Sequence, residues 1–267
     1  MARVIAVCNQ KGGVGKTTTA VNLAAYLAAH GRRTLLVDFD PQANASSALG
    51  VIPGKLERTV YHGVLGHAKA HQLVLPSPLL NLHFIPAAPH LTGLRVELIE
   101  MEDRSRALRR FLNSIRHEYA YVIIDLPPSL DLIFISGLVA ADELIIPVQA
   151  EYYSLEGLGQ LLETVELVRS NLAHRLEIAG ALLTMHDRRE RLSRDVARNL
   201  RSHFPHHVFN AAIPRSVSLA EAPSYGRPVI LHRPESSGAL AYRQLAREVI
   251  AGERAETEMS TVPPDRG

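Results

Sequence analysis

The sequence predicts an α/β protein, a doubly wound, mainly parallel sheet flanked by helices. Three observations carry this expectation. Short apolar, often β-branched runs fall near 3–8, 33–38, 82–85, 121–125, 143–148 and 178–184, as in strands buried on both faces. Helical spacing fills much of the chain between them, and strands alternating with helices build parallel sheets. The chain has 267 residues, 46% hydrophobic and 21% charged, enough for one core without a disulfide or metal staple. Residues 1–252 are expected to form that single domain, and 253–267 a polar, disordered tail.

Composition removes several classes. Cys8 is the single cysteine, which excludes an internal disulfide, cysteine-ligated zinc and an iron–sulfur cluster within one chain. The apolar start gives way at once to Asn9-Gln10-Lys11, and no stretch approaches the roughly 18 uninterrupted apolar residues of a spanning helix. A soluble cytoplasmic protein is expected. Net charge is only +2, but 25 of the 29 basic residues are arginine. Two of the four lysines, Lys11 and Lys16, fall within one six-residue window.

That window joins the first strand to the first helix. Arg3 to Cys8 leads into Asn9-Gln10-Lys11-Gly12-Gly13-Val14-Gly15-Lys16-Thr17-Thr18, and Ala20, Val21, Leu23, Ala24, Leu27 and Ala28 then recur at helical spacing up to Gly31. Strand, glycine loop and helix are the setting of a phosphate-binding loop. Glycines let backbone N–H groups turn toward phosphate oxygens, and the helix N-terminus adds a positive dipole end. Lys16 is placed to reach β- and γ-phosphates, and the Thr17 hydroxyl to ligate magnesium. Gln10 stands where the strict pattern requires glycine.

The second strand ends in Asp38-Phe39-Asp40-Pro41-Gln42-Ala43-Asn44-Ala45, whose two carboxylates share a face. Asp38 reads either as a helix-capping group or as part of the chemistry. Tyr121 to Asp125 is an apolar strand ending in a carboxylate, followed by Leu126-Pro127-Pro128-Ser129, the form of a Walker B motif that holds magnesium through water. No glutamate follows Asp125, so hydrolysis is expected to be slow, as suits a switch.

Farther on, Arg191, Arg194, Arg198 and Arg201 form one stripe of a helix, with Leu192, Val196, Leu200 and Phe204 expected to dock on the sheet. From Arg188 through Arg189 to Arg201 there are six arginines against Glu190 and Asp195. The stripe is either a solvated face or a surface that tracks a nucleic-acid backbone without reading bases. His203, His206 and His207 read as a surface turn rather than a zinc site, and Tyr152 and Tyr153 as packing residues. A last helix is expected over 237–251, docking through Leu240, Leu245, Val249 and Ile250. The stretch 51–90 is the least informative.

The lysine-rich loop resembles the deviant Walker A of the ParA/MinD class of P-loop ATPases. The Asp40 segment resembles the D-x-D-P-Q-x-N-A motif of the ParA/Soj partition ATPases, with Ala43 in place of the usual glycine. Ala212-Ile213-Pro214-Arg215-Ser216 and the residues up to Pro228 resemble a further segment of that family, I-P-R-N-V-x-L-x-E-A-P-S-x-G-x-P. The match runs in order from about Arg3 to about Ala251. The resemblance implies a P-loop ATPase fold, ATP and Mg²⁺ as cofactors, and a homodimer in the ATP state. Lys11 would reach the partner's phosphates, and Asp40 would orient the attacking water near the metal. Pro214 would line the adenine pocket, with Ser216 replacing its asparagine, while Ser218 stands where many members are basic. Non-specific double-stranded DNA, a ParB-type partner and a role in chromosome or plasmid segregation follow from the same resemblance, and it tips the arginine stripe toward DNA. A MinD-like membrane ATPase and a P-loop enzyme of small metabolites are the alternatives; the polar, acidic end offers no amphipathic anchor.

Overall fold

The computed structural model describes residues 2–151 and 156–260; Tyr152, Tyr153 and residues 261–267 of the expected tail lie outside them. The strands are β1 (Arg3–Val7), β2 (Thr34–Asp38), β3 (Leu75–Pro76), β4 (Leu82–Ile85), β5 (Tyr121–Asp125), β6 (Glu143–Gln149), β7 (Glu177–Thr184) and β8 (Val208–Ala212). The helices are α1 (Lys16–Ala29), α2 (Asn44–Ala48), α3 (Val60–Val64), α4 (Leu94–Glu100), α5 (Ala107–Asn113), α6 (Leu132–Ala140), α7 (Glu156–Asn171), α8 (Arg191–His203), α9 (Val217–Glu221), α10 (Val229–His232) and α11 (Ser237–Ser260).

The eight strands form one sheet in the order β3-β4-β2-β5-β1-β6-β7-β8, parallel except for the short β3–β4 pair. All six expected strands are present. The two additional ones, β3 and β8, sit at the edges, where an apolar run is not needed. β8 reads Val-Phe-Asn-Ala-Ala with Asn210 exposed, and the Glu248 carboxylate of α11 accepts from the Asn210 and Ala211 amides, both at 2.8 Å. A charged side chain bonded to an edge strand blocks pairing with another chain.

Strand residues alternate between two apolar layers. Val4, Ala6, Leu35, Val37, Val122 and Ile124 face one; Ile5, Val7, Leu36, Tyr121 and Ile123 face the other. α1 and α11 cover the second layer, and α3 to α8 the first. Burial on both sides is why these strands read as continuous apolar runs. β1 lies between β5 and β6; its own connection runs through α1 to β2 on one side, whereas β5 connects through α6 across β1 to β6 on the other. The crevice at the carboxyl ends of such strands is where an open α/β sheet binds ligands.

Two docking expectations are corrected. Leu192 is 51% and Leu240 39% exposed. α8 instead buries Ser193, Val196, Ala197 and Leu200, so Leu192 lies just off the buried arc. α11 docks through Ala239, Tyr242, Leu245, Ala246 and Val249. It also runs past Ala251 to Ser260. Glu253, assigned to the tail from sequence, accepts from Arg32 at 2.8 Å and from the Tyr121 hydroxyl.

The opposite end of the sheet is stapled by arginine. Arg3 grips Glu143 through two bonds of 2.7 and 2.6 Å and donates to the Val249 carbonyl at 2.9 Å. Arg116 holds Asp142 at 2.7 Å and the Ala2 carbonyl at 2.6 Å. Arg109 donates at 2.9 Å to Nδ1 of buried His174, whose Nε2 donates to the Ala141 carbonyl at 2.7 Å. His203, His206 and His207 take separate local contacts, with the Asn199 carbonyl, Phe204 and Phe209 respectively.

Burial, aided by the Arg109 charge, holds the His174 imidazole below its ordinary range, and burial does the same at His83 and His186. At these groups the unfolded chain takes up protons near pH 6.5 that the folded chain refuses, so their contribution to stability falls as pH drops through that value. The sign is opposite to that of the buried carboxyls Asp38 and Asp125, whose raised pKa makes the folded state bind protons first. Chemical denaturation of the parent and of His174→Gln at pH 7.5 and pH 5.5 isolates the histidine's share: the parent should lose more stability, or gain less, between the two pH values than the variant does.

Candidate functional site

Between β1 and α1 the loop is pinned at both walls. Asn9, 3% exposed, donates to the Pro147 carbonyl at 2.7 Å and accepts from the Lys11 amide at 2.9 Å. On the far side the Thr184 hydroxyl, at the end of β7, donates to the Val14 carbonyl at 2.8 Å. Gly13 and Gly15 have φ of 76° and 88°, which other residues adopt only with strain. A Cβ on Gly12 or Gly13 would meet nothing within 4 Å, so the loop surrounds open space. Lys16 donates from Nζ to the Lys11 carbonyl at 3.0 Å, across the loop.

α1 is preceded by Gly15 as its N-cap, with no side-chain cap and no acidic residue in its first turn. The amides of Lys16, Thr17 and Thr18 thus lack the side-chain acceptor a helix start normally recruits, and an anion would satisfy them. Lys16 is buried, and burial lowers its pKa against the pull of Asp125 and Asp40.

Those carboxylates meet at the ends of adjacent strands, with Asp38 opposite Asp125 in register. Asp38 and Asp125 are 1% and 0% exposed, and Asp40 6%. Asp38 is committed structurally. It accepts from the Ser46 hydroxyl at 2.7 Å, the Ser46 amide at 2.8 Å and the Asp40 amide at 3.2 Å. Burial pushes its pKa up to about 6 despite those bonds. Asp125 has no such support. The Thr17 hydroxyl lies near enough to favour its ionised form, yet neither carboxylate oxygen has a partner of hydrogen-bond geometry. Burial, then the charges of Asp38 and Asp40, hold its pKa well above the ordinary range. A buried oxygen-rich cluster with an orphaned carboxylate beside a phosphate cradle fits a hydrated magnesium ion, which prefers one or two carboxylates plus phosphate oxygens. Thr17, Asp40 and Asp125 are the residues that would hold it.

Pro214 and Ser216 come to the same place from far along the chain. With Gly15, Thr18, Met185 and Leu219 they line a cavity of about 150 Å³ against the loop, mostly apolar and open to one side, suited to a flat base. Beside it, Glu151 accepts from Arg215 at 3.2 Å and from Gln149 at 2.6 Å, and pairs with Lys11 at 3.8 Å.

The arginine stripe is on the surface, not in this crevice. Arg189, Arg191 and Arg198 have side chains 89%, 90% and 78% exposed, and Arg188 and Arg201 are exposed as well. Arg194 is turned back, donating to the Arg188 and Arg189 carbonyls, both at 2.9 Å. Asp187 holds Arg189 at 3.0 Å. Thr184 and Arg188 are ends of one short segment, whose middle is tied down by buried Ser193 through the Asp187 amide at 3.0 Å and His186 Nδ1 at 2.8 Å. Thr184, Asn9, Ser46 and Glu151 were not legible as site residues. Thr184, Asn9 and Glu151 carry one signal in sequence, their position at or just beyond strand ends, and Ser46, inside α2, carries none.

A family model described as AAA domain matches residues 2–178. The chromosome partitioning protein ParA of Caulobacter vibrioides is 48% identical over 254 residues, covering 94% of this chain and 95% of the relative. The sporulation initiation inhibitor protein Soj of Bacillus subtilis is 48% identical over 251 residues, covering 94% and 99%. Among solved structures, cobyrinic acid a,c-diamide synthase of Mycobacterium smegmatis, with bound ADP and magnesium, superposes with a TM-score of 0.85 at 34% identity, covering 96% and 97%.

Replacing Asp125 by asparagine removes a buried carboxyl whose ionised form burial and the charges of Asp38 and Asp40 disfavour. Asp125→Asn should be as stable as the parent or more so without ligands, by on the order of 1–2 kcal/mol. It should also lose the rise in Tm that magnesium and nucleotide produce in the parent; paired thermal melts read both effects.

Proposed function

Because this chain belongs to the ParA/Soj family of partition ATPases, we propose that it is a magnesium-dependent ATPase switch for chromosome or plasmid segregation. In this reading it dimerises with ATP, binds double-stranded DNA without sequence preference in that state, and hydrolyses ATP slowly until a ParB-type partner accelerates it. The observation that carries the reading is the pairing of a phosphate cradle and orphaned Asp125 with an exposed arginine face one short segment away.

The backbone amides from Gly12 to Thr18 bind the phosphates, and Lys16 swings from the Lys11 carbonyl onto the β- and γ-oxygens. Magnesium, when bound, draws charge off those oxygens. Asp40 orients the attacking water. Lys11 leaves Glu151 for the phosphates of a second copy, adding a cation where charge develops during phosphoryl transfer. Pro214 and Ser216 flank the base.

DNA contact follows from charge. Arg188, Arg189, Arg191, Arg198 and Arg201 project to solvent, and Arg194 shapes the loop that presents the first two. Arg3 and Arg116, by contrast, are already consumed by carboxylates and carbonyls. In α8 the sole acidic residue, Asp195, stands 3.7 Å from both Arg191 and Arg198, and exposed pairs of that length contribute little. One protomer offers few phosphate contacts. Two joined copies double them, so dimerisation becomes control of DNA binding. Among the described residues no helix is long and apolar enough to cross a membrane; the site of action in this reading is the nucleoid in the cytoplasm.

Anisotropy of a random-sequence duplex, titrated in ATPγS, in ADP and without nucleotide at two salt concentrations, tests this. Binding should require ATPγS and weaken steeply with salt. Arg198→Ala should flatten the log–log salt slope by about 2 per dimer, at about 0.9 per lost contact. Equal binding in all states, or none, overturns the DNA arm. Anionic liposomes would then test a MinD-like role, and small organic acids as ATPase activators a synthase-like one.

A further inference from the structure

Asp38 uses both carboxylate oxygens to close a ring. Oδ1 accepts from the Asp40 amide at 3.2 Å, and Oδ2 accepts from the amide and hydroxyl of Ser46 at 2.8 and 2.7 Å. The loop from Phe39 to Ala45 therefore begins and ends on one buried side chain. Ser46 is fully buried, and its Oγ also accepts from the Ala87 amide at 2.9 Å, beyond the end of β4. Its hydroxyl proton and one lone pair are thus both engaged, leaving a single orientation.

Within the ring, Asp40 is held by its own short turn. Its Oδ1 accepts from the Gln42 amide and its carbonyl from the Ala43 amide, both at 2.9 Å. Ala43 stands at φ 53°, a left-handed conformation that an alanine keeps only when its surroundings impose it. The turn fixes the shape around Asp40, but the Asp38–Ser46 ring fixes where that shape sits relative to Asp125. Displacements of about 1 Å at a reacting centre cost on the order of 10²-fold in rate.

We propose that Ser46 is a positioning residue for ATP hydrolysis, acting through Asp38 to place the Asp40 carboxylate. This rests on the reading of Asp40 as the water-orienting group. Ser46, fully buried with its hydroxyl engaged by Asp38 and the Ala87 amide, acts on the loop rather than on the reacting groups.

The test compares the parent, Ser46→Ala, Asp40→Ala and the double variant as full-length chains. Single-turnover hydrolysis of Mg-ATP, affinity for a fluorescent ATP analogue and amide hydrogen exchange are measured on each. Ser46→Ala should hydrolyse ten- to a hundred-fold more slowly, bind the analogue within about twofold of the parent, and exchange the Asp40 and Ser46 amides faster. The double variant should be no slower than Asp40→Ala alone, since both changes act on one group. A parent-like rate in Ser46→Ala beside an inactive Asp40→Ala overturns the positioning role alone. A parent-like rate in Asp40→Ala overturns the reading of Asp40 and this inference with it. Loss of affinity matching the loss of rate in Ser46→Ala marks a merely structural residue and also overturns it. If Ser46→Ala does not fold, Asp38→Asn, which breaks the ring from its other side, is read by the same criteria.

Discussion

The cost of burying negative charge at the carboxyl edge of the sheet organises this molecule. Asp38, Asp40 and Asp125 come together under a helix N-terminus with one buried lysine nearby. Three carboxylates against one ammonium is an unbalanced set in a low-dielectric setting. The chain resolves it unequally. Asp38 is neutralised in effect by three donors from its own loop, Asp40 by a tight turn, and Asp125 by nothing of hydrogen-bond geometry. That residual imbalance is what a divalent cation with phosphate would relieve, so ligand binding and local stability are linked. The loop is built the same way: an uncapped helix and glycines in left-handed geometry leave donors pointing at open space.

The two ends of the sheet use charge in opposite senses. At the carboxyl ends one carboxylate, Asp125, is left without a partner of hydrogen-bond geometry. At the amino ends, arginines reach carbonyls and carboxylates across long sequence separations, as Arg3 does with Val249 and Glu143. The bonds there leave His174 neutral and tightly packed. Stability is concentrated at one end, and the other is left able to change partners, the usual division between scaffold and site.

Arginine abundance therefore has two explanations within one chain. Arg3, Arg109 and Arg116 are staples, whereas Arg191 and Arg198 are open to solvent. The segment from Thr184 to Arg189 joins the crevice to that open face. Its first residue holds the phosphate loop, and its middle is pinned by Ser193.

Much was legible without coordinates. The six central strands follow from apolar runs, because a strand buried on both faces can tolerate little else. Phosphate chemistry asks for the residue types of the loop from Lys11 to Thr18, Asp40 and Asp125 in local order, and the structure brings both carboxylates beside Lys16. What the sequence could not decide was anything that depends on neighbours distant along the chain. The helix stripe put Leu192 on the docking face, but the real buried arc is turned toward Ser193 and Ala197, since the tilt of a helix is set by what it packs on. Edge strand β8 lacked an apolar signal because its outer side is covered by Glu248 from α11. Glu253 looked like tail until Tyr121 and Arg32, far away in sequence, were seen to meet it. Asp38 could have been cap or catalyst from its residue type alone. Only the tertiary structure, which brings Ser46 onto its carboxylate and leaves Asp125 bare, separates the two, because hydrogen-bond satisfaction is a property of an environment and not of a residue.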